Sequence, residues 1–211
     1  ERGSVKNGIA CLFFLVLAIW SKEVAAVCAV LFFLYERTFV SRVATQGSPF
    51  VYRIRYAALA AAVAFSFMVR HLVVRSIPRP LAVEGPGINV LIASAVKNVV
   101  FYIKLFFAPI GLHMERQTDL PAGIFDISLL IPIFVAAAFL LLLKVSYDKN
   151  RVIFFGLAWF IITILPISGL FLLNAGVAEH WLYMPSVGLI IALSESISLL
   201  MAGKVRPLLK A

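Results

Sequence analysis

The chain has 211 residues, 63% of them hydrophobic and 14% charged, and a net charge of +9. A globular domain has about half its residues apolar and about a quarter charged; with a mean hydropathy of +1.02, this composition excludes a water-soluble domain and calls for lipid. The Lys and Arg residues sit beside the apolar runs and form no basic domain with interleaved aromatics, which excludes nucleic acid as a partner and leaves them as topology signals.

The apolar residues gather into runs of roughly 12 to 20, the reading of helices matched to a hydrocarbon core of about 30 Å. The alternation of a β-barrel is absent. The expected fold is all-α: a polytopic helical membrane protein forming a single transmembrane domain over residues 1–211. It has about six transmembrane helices plus one interfacial or re-entrant helix.

Residues 8–20 and 24–35 are two apolar runs separated only by Ser21, Lys22 and Glu23. One long helix would bury Lys22 and Glu23 near mid-membrane, whereas a hairpin puts them at its tip. Arg2 and Lys6 precede the pair and Arg37, Arg42, Arg53 and Arg55 follow it, so both flanks favour the cytoplasm and select the hairpin. The opening Glu1, and the lack of a small-residue cleavage site after the first run, predict a piece of a longer protein without a signal peptide.

The next span covers residues 56–74, ends near Arg70, His71 and Arg75, and passes into the Pro- and Gly-containing stretch 77–89, which regular helix cannot accommodate. Residues 90–112 are apolar enough to cross, yet Lys97 and Lys104 lie seven apart and share one helical face. If this segment crossed, Lys144, Lys149 and Arg151 would fall outside, against the positive-inside bias; it is therefore read as interfacial or re-entrant. Spans at 127–143, 152–173 and 185–202 follow, with both termini cytoplasmic.

Three polar clusters then fall on the outer face: Lys22 with Glu23; His113 with Glu115 and Arg116; and Glu179 with His180 and Tyr183. Charged groups at the mouths of broken helices bind charged substrates or transfer protons where the backbone lines a wet cavity. The plainer reading makes each an interfacial anchor, with Trp181 and Tyr183 in the aromatic belt. Glu179 and His180 are adjacent and diverge on a helix, and no HExxH or CxxC accompanies them, so no metal is expected. Cys11 and Cys28 sit in apolar runs as small hydrophobes. Glu195, inside the last run, is read as structural, satisfied by Ser194, Ser196 or Ser198 in a helix interface. Pro109 with Gly111, and Pro166 with Gly169, break their helices just before the polar clusters.

Four blocks, LVLAIWSKEVAAV, IKLFFAPIGLHMER, LAWFIITILPISG and AEHWLYMPSVGL, occur in order over nearly the whole chain. Together they resemble the membrane part of GT-C superfamily glycosyltransferases, specifically the transmembrane and tetratricopeptide-repeat O-mannosyltransferase-like group. The resemblance implies a membrane enzyme without a cofactor. It moves a sugar from a polyprenyl-phosphate donor to an acceptor, a protein hydroxyl, on the outer face, with membrane lipid as its other partner. It further implies that Lys22, Arg116 and His180 meet the donor phosphate, offsetting charge that grows on the leaving group. Glu23, Glu115 and Glu179 would be secondary acids. The general base of the family stands in a large outer loop after the first helix; that loop is expected upstream of Glu1, so the isolated chain is expected to be inactive. The competing reading is a non-enzymatic polytopic protein, either a transporter of a lipid-linked substrate or an assembly scaffold. An inverted repeat would favour a transporter, and none is visible.

Overall fold

A computed structural model describes residues 5–40, 49–75, 86–116, 120–123, 125–170 and 177–208. Most of the 77–89 stretch, Arg42 and residues 171–173 lie outside the described residues, as do the side chains of Lys204 and Arg206. The described residues are almost wholly helical, with one two-stranded ribbon. The chain divides into two compact units, Glu1–Glu84 and Gly85–Ala211.

In the first unit, helix α1 (Val5–Ser21) is followed by Lys22 in an extended conformation (φ −149°, ψ 118°), a single 3-10 turn over Glu23–Ala26 and helix α2 (Val27–Tyr35). Lys22 thus interrupts the helix where the hairpin reading requires a break, and the uninterrupted alternative is excluded. A π-helical turn at Glu36–Val40 extends α2, and helix α3 (Pro49–Arg75) packs against both α1 and α2. Helices α2 and α3 run antiparallel, clasped at both ends. At one end Arg70 Nη1 lies 3.0 Å from Glu23 Oε2. At the other, the buried Glu36 accepts from the Tyr56 hydroxyl and pairs with Arg55 at 3.0 Å.

In the second unit, helix α4 (Ile88–Phe107) is unbroken and ends at Ala108, after which Pro109 and Gly111 (φ 67°) carry the chain out of helix. Strand β1 (Glu115–Arg116) precedes a 3-10 turn at Ile127–Leu129, helix α5 (Leu130–Lys149) and helix α6 (Arg151–Ile164). Asn150 alone links α5 to α6. Extended at φ −150°, it caps α6 by accepting from the amides of Val152 and Ile153 at 2.9 and 3.0 Å. Helix α6 stops one residue before Leu165 and Pro166, which form a 3-10 turn, and Gly169 at φ 101° completes the break. Strand β2 (Val177–Ala178), a 3-10 turn at Glu179–Leu182 and helix α7 (Tyr183–Leu208) complete the unit.

The core of this unit is the antiparallel pair α6 and α7. Gly156 and Gly188 face each other so closely that a Cβ built on Gly156 would stand 2.5 Å from the Gly188 carbonyl oxygen. The backbones touch directly, as small residues permit between membrane helices. Trp159 Nε1 donates to the Met184 carbonyl at 2.9 Å, and Asn150 Nδ2 donates to Glu195 Oε1 at 2.8 Å. Glu195 is therefore structural, but its partner is Asn150 rather than the neighbouring serines; the Ser196 hydroxyl donates to the Ala192 carbonyl instead. Phe139 of α5 meets Phe160 of α6 at 5.4 Å between ring centroids.

Among the described residues, four helical stretches are long and apolar enough to cross a membrane: Arg53–Val73, Ile88–Phe107, Ile127–Lys149 and Glu179–Ala202. The sequence suggested six spans and a different set. Lys6–Ser21 and Arg151–Ile167 are shorter apolar helices, curtailed by the breaks at Lys22 and Pro166, and α2 has only nine residues. Ile88–Phe107, read from sequence as interfacial or re-entrant, meets the length and apolarity of a span.

Candidate functional site

The second unit gathers six of the eight singled-out residues. Strand β1 pairs antiparallel with β2, placing Glu115 opposite Ala178 and Arg116 opposite Val177, so the HMER and AEHW blocks are joined through backbone. Beneath them lies Tyr102 of α4, fully buried, whose hydroxyl accepts from the Ala178 amide and donates to the Ala178 carbonyl, each at 3.2 Å. Both polar groups of that backbone are thereby satisfied inside the protein. One turn earlier, the Asn98 amide donates to the Ser168 carbonyl at 2.9 Å, fixing the chain where it leaves α6. A side chain at Gly169 would collide with Asn98.

Arg116 is turned inward. Its Nη2 donates to the Gly111 carbonyl and lies 3.6 Å from Glu179 Oε1, and its guanidinium carbon stands 5.4 Å from the Phe101 ring centroid. The same Glu179 oxygen accepts from the His113 backbone amide. Arg116 and Glu179 thus act together as a brace between the two blocks, each side chain less than one-third exposed. Arg116 Nε is buried with no hydrogen-bond partner among the described residues.

The side chains of His113, Glu115, His180 and Tyr183 point outward and are exposed; His180 packs edge-on against Trp181 at 5.8 Å. The cluster therefore divides into an internal brace and an exposed rim of two imidazoles, a carboxylate and a phenol. Lys104 of α4 is exposed as well, on the helical face that carries Phe101. Such a rim can offer imidazole, phenol and ammonium donors to an anion. Among the described residues, no three His, Cys, Asp or Glu side chains come together as a metal site.

Lys22 and Glu23 belong to the first unit, where Lys22 is exposed and Glu23 is paired with Arg70. Sequence reasoning missed Tyr102, Phe101 and Asn98, the residues of α4 that hold the site from below; within an apolar run nothing local sets them apart.

Outside the membrane runs, Asp126 caps the 3-10 turn at Ile127–Leu129 that leads into α5. Its carboxylate accepts from the amides of Ala122 at 2.9 Å and Ser128 at 2.8 Å, and these bonds, Ala122 first, hold its pKa below the usual carboxylate value.

No family model, curated protein or solved structure matches the chain.

Proposed function

We propose that this chain is the membrane core of a GT-C type glycosyltransferase, moving a sugar from a polyprenyl-phosphate donor to an acceptor hydroxyl at the outer face. One observation carries the reading: two blocks that the resemblance singles out, far apart in sequence, meet in one cluster through β1, β2 and the Arg116–Glu179 brace. In the reaction the acceptor oxygen bonds to the anomeric carbon as the bond from that carbon to the phosphate oxygen breaks. The acceptor proton passes to a carboxylate, which the resemblance assigns to a loop preceding these helices. His180 and His113 on the rim are the donors for the departing phosphate, and fixed donors there favour the more charged transition state. Arg116 serves through position, since its own charge is largely answered by Glu179.

The proposed topology has six crossings, with α4 packed at the interface and both ends of the chain cytoplasmic. Support comes from the partners of α4. Besides α5, they include the turns at Ile127–Leu129 and Glu179–Leu182, Ser168 and Ala178, which gather where α5 and α7 begin and α6 ends. Lys144, Lys149 and Arg151 lie toward the other end of α5 and α6, as the positive-inside bias asks.

The test is photo-crosslinking of a diazirine-bearing polyprenyl-phosphate hexose to the protein in its membrane. Labelled peptides are expected to include residues 104–116 or 177–183, and His180→Ala with His113→Ala should cut labelling about tenfold, the value of one lost charge-assisted contact. Labelling confined to α5, or unchanged in the double variant, sinks the reading.

A further inference from the structure

We propose that residues 108–116, 120–123 and 125–127 form a strap seated in the lipid headgroup boundary, with its apolar side chains among the acyl chains of neutral lipid. The inference rests on α5 being embedded in a membrane and does not depend on the transferase reading.

A loop that faces water turns its charges outward and its apolar groups in. This one is reversed. Ile110 is 82% exposed, Met114 80%, Phe125 95% and Ile127 82%, with Leu112 and Leu120 also exposed. Apart from the exposed Glu115, the charged groups at the loop are spent on its own backbone. Arg116 donates to the Gly111 carbonyl, Glu179 accepts from the His113 amide, and Asp126 accepts from the amides of Ala122 and Ser128. Irregular backbone is tolerated at the edge of hydrocarbon only when its polar groups are answered internally, and large exposed apolar side chains mark a surface meant to be covered.

Position identifies the cover. The strap begins one residue after Phe107, the end of an apolar helix of spanning length, and finishes at Ile127, the start of another. Both anchor points therefore stand at the hydrocarbon edge. Charge narrows the choice of lipid: among the strap's residues Glu115 and Asp126 outnumber Arg116, so attraction to anionic headgroups cannot hold the strap and apolar burial must.

The experiment uses the full chain with Cys11→Ser and Cys28→Ser, both natural positions being exposed free thiols, in phosphatidylcholine nanodiscs. Nitroxide labels are placed singly through Met114→Cys, Phe125→Cys and Leu141→Cys, the last on the exposed surface of α5. Collisions with lipid-soluble oxygen are compared with those of a water-soluble nickel chelate. Oxygen is expected to exceed nickel several-fold at 114 and 125, as at 141, with no change on adding salt or anionic lipid. Nickel dominance at 114 and 125 with oxygen dominance at 141 overturns the proposal while leaving α5 in the membrane. Low collision with both reagents at 114 and 125 means that protein covers the strap, and also overturns it. Nickel dominance at 141 removes the premise.

Discussion

Replacing Gly156 with alanine strikes the point where the α6 and α7 backbones touch. The new methyl would lie 2.5 Å from the Gly188 carbonyl oxygen, 2.8 Å from the Ala192 amide nitrogen and 3.1 Å from the Ala192 Cβ. Two of the three are backbone atoms, so no rotamer change relieves the clash; α6 and α7 must separate by about 1 Å to restore ordinary contact distances. Separation strains the Trp159–Met184 and Asn150–Glu195 hydrogen bonds at either side and loosens packing around Phe160 and Leu189, both buried. Overpacking costs about 1 to 3 kcal/mol, and this site belongs at the upper end, near a hundredfold in the unfolding constant. Unfolding by SDS in mixed micelles, followed by circular dichroism, measures it. Gly188→Ala should behave alike, since its Cβ would meet the Gly156 carbonyl and the Phe160 amide nitrogen. The double variant should cost less than the sum, because one separation relieves both clashes. Gly8→Ala is the control: its Cβ meets nothing within 4 Å, so stability should hold or rise slightly through helix propensity. A Gly156→Ala protein as stable as the parent, or strict additivity in the double variant, would refute the close crossing.

Asn150→Ala removes the cap of α6 and the donor to Glu195 together, and should cost about 1 to 2 kcal/mol in the same assay; Glu195→Gln, which keeps an acceptor, should cost far less. Tyr102→Phe removes the hydroxyl that bonds the buried Ala178 amide and carbonyl, at about 1 to 3 kcal/mol, and amide exchange at Ala178 should accelerate accordingly. The pKa of Asp126 is lowered by folding, so its capping is complete above the ordinary value of 3.8 and is lost as pH falls through the lower folded value. The Ser128 amide, corrected for intrinsic exchange, should lose protection only in that acid range, and Asp126→Asn should abolish this pH dependence.

Much of the helical plan was legible because hydropathy and backbone breakers act locally. Lys22, Pro109 with Gly111, and Pro166 with Gly169 end helices where the sequence places breaks. The number of long apolar helices was not, because a run of apolar letters does not reveal that its helix ends early: residues 152–173 read as one span, but α6 stops at Ile164. The pairing of partners was hidden too. Glu23 finds Arg70 at a separation of 47 residues and Tyr102 finds Ala178 at 76, distances over which no periodicity reports. The polar letters of the site stood out in sequence, yet their division into brace and rim depends on which face of β1 points inward. That face is set by the pairing of β1 with β2 and not by composition.

The two clasps of the α2–α3 hairpin have a consequence for its assembly. Glu23 and Glu36 stand thirteen positions apart and Arg70 and Tyr56 fourteen, about 20 Å along either helix. Aliphatic side chains in lipid slide past one another with little preference, so an apolar pair of helices could settle at several offsets. Two matched polar pairs at a fixed spacing act as a vernier, because a shift of one turn misaligns both at once and strands Glu23, Arg70 and Glu36. The hairpin can therefore start loosely zipped and still reach a single alignment.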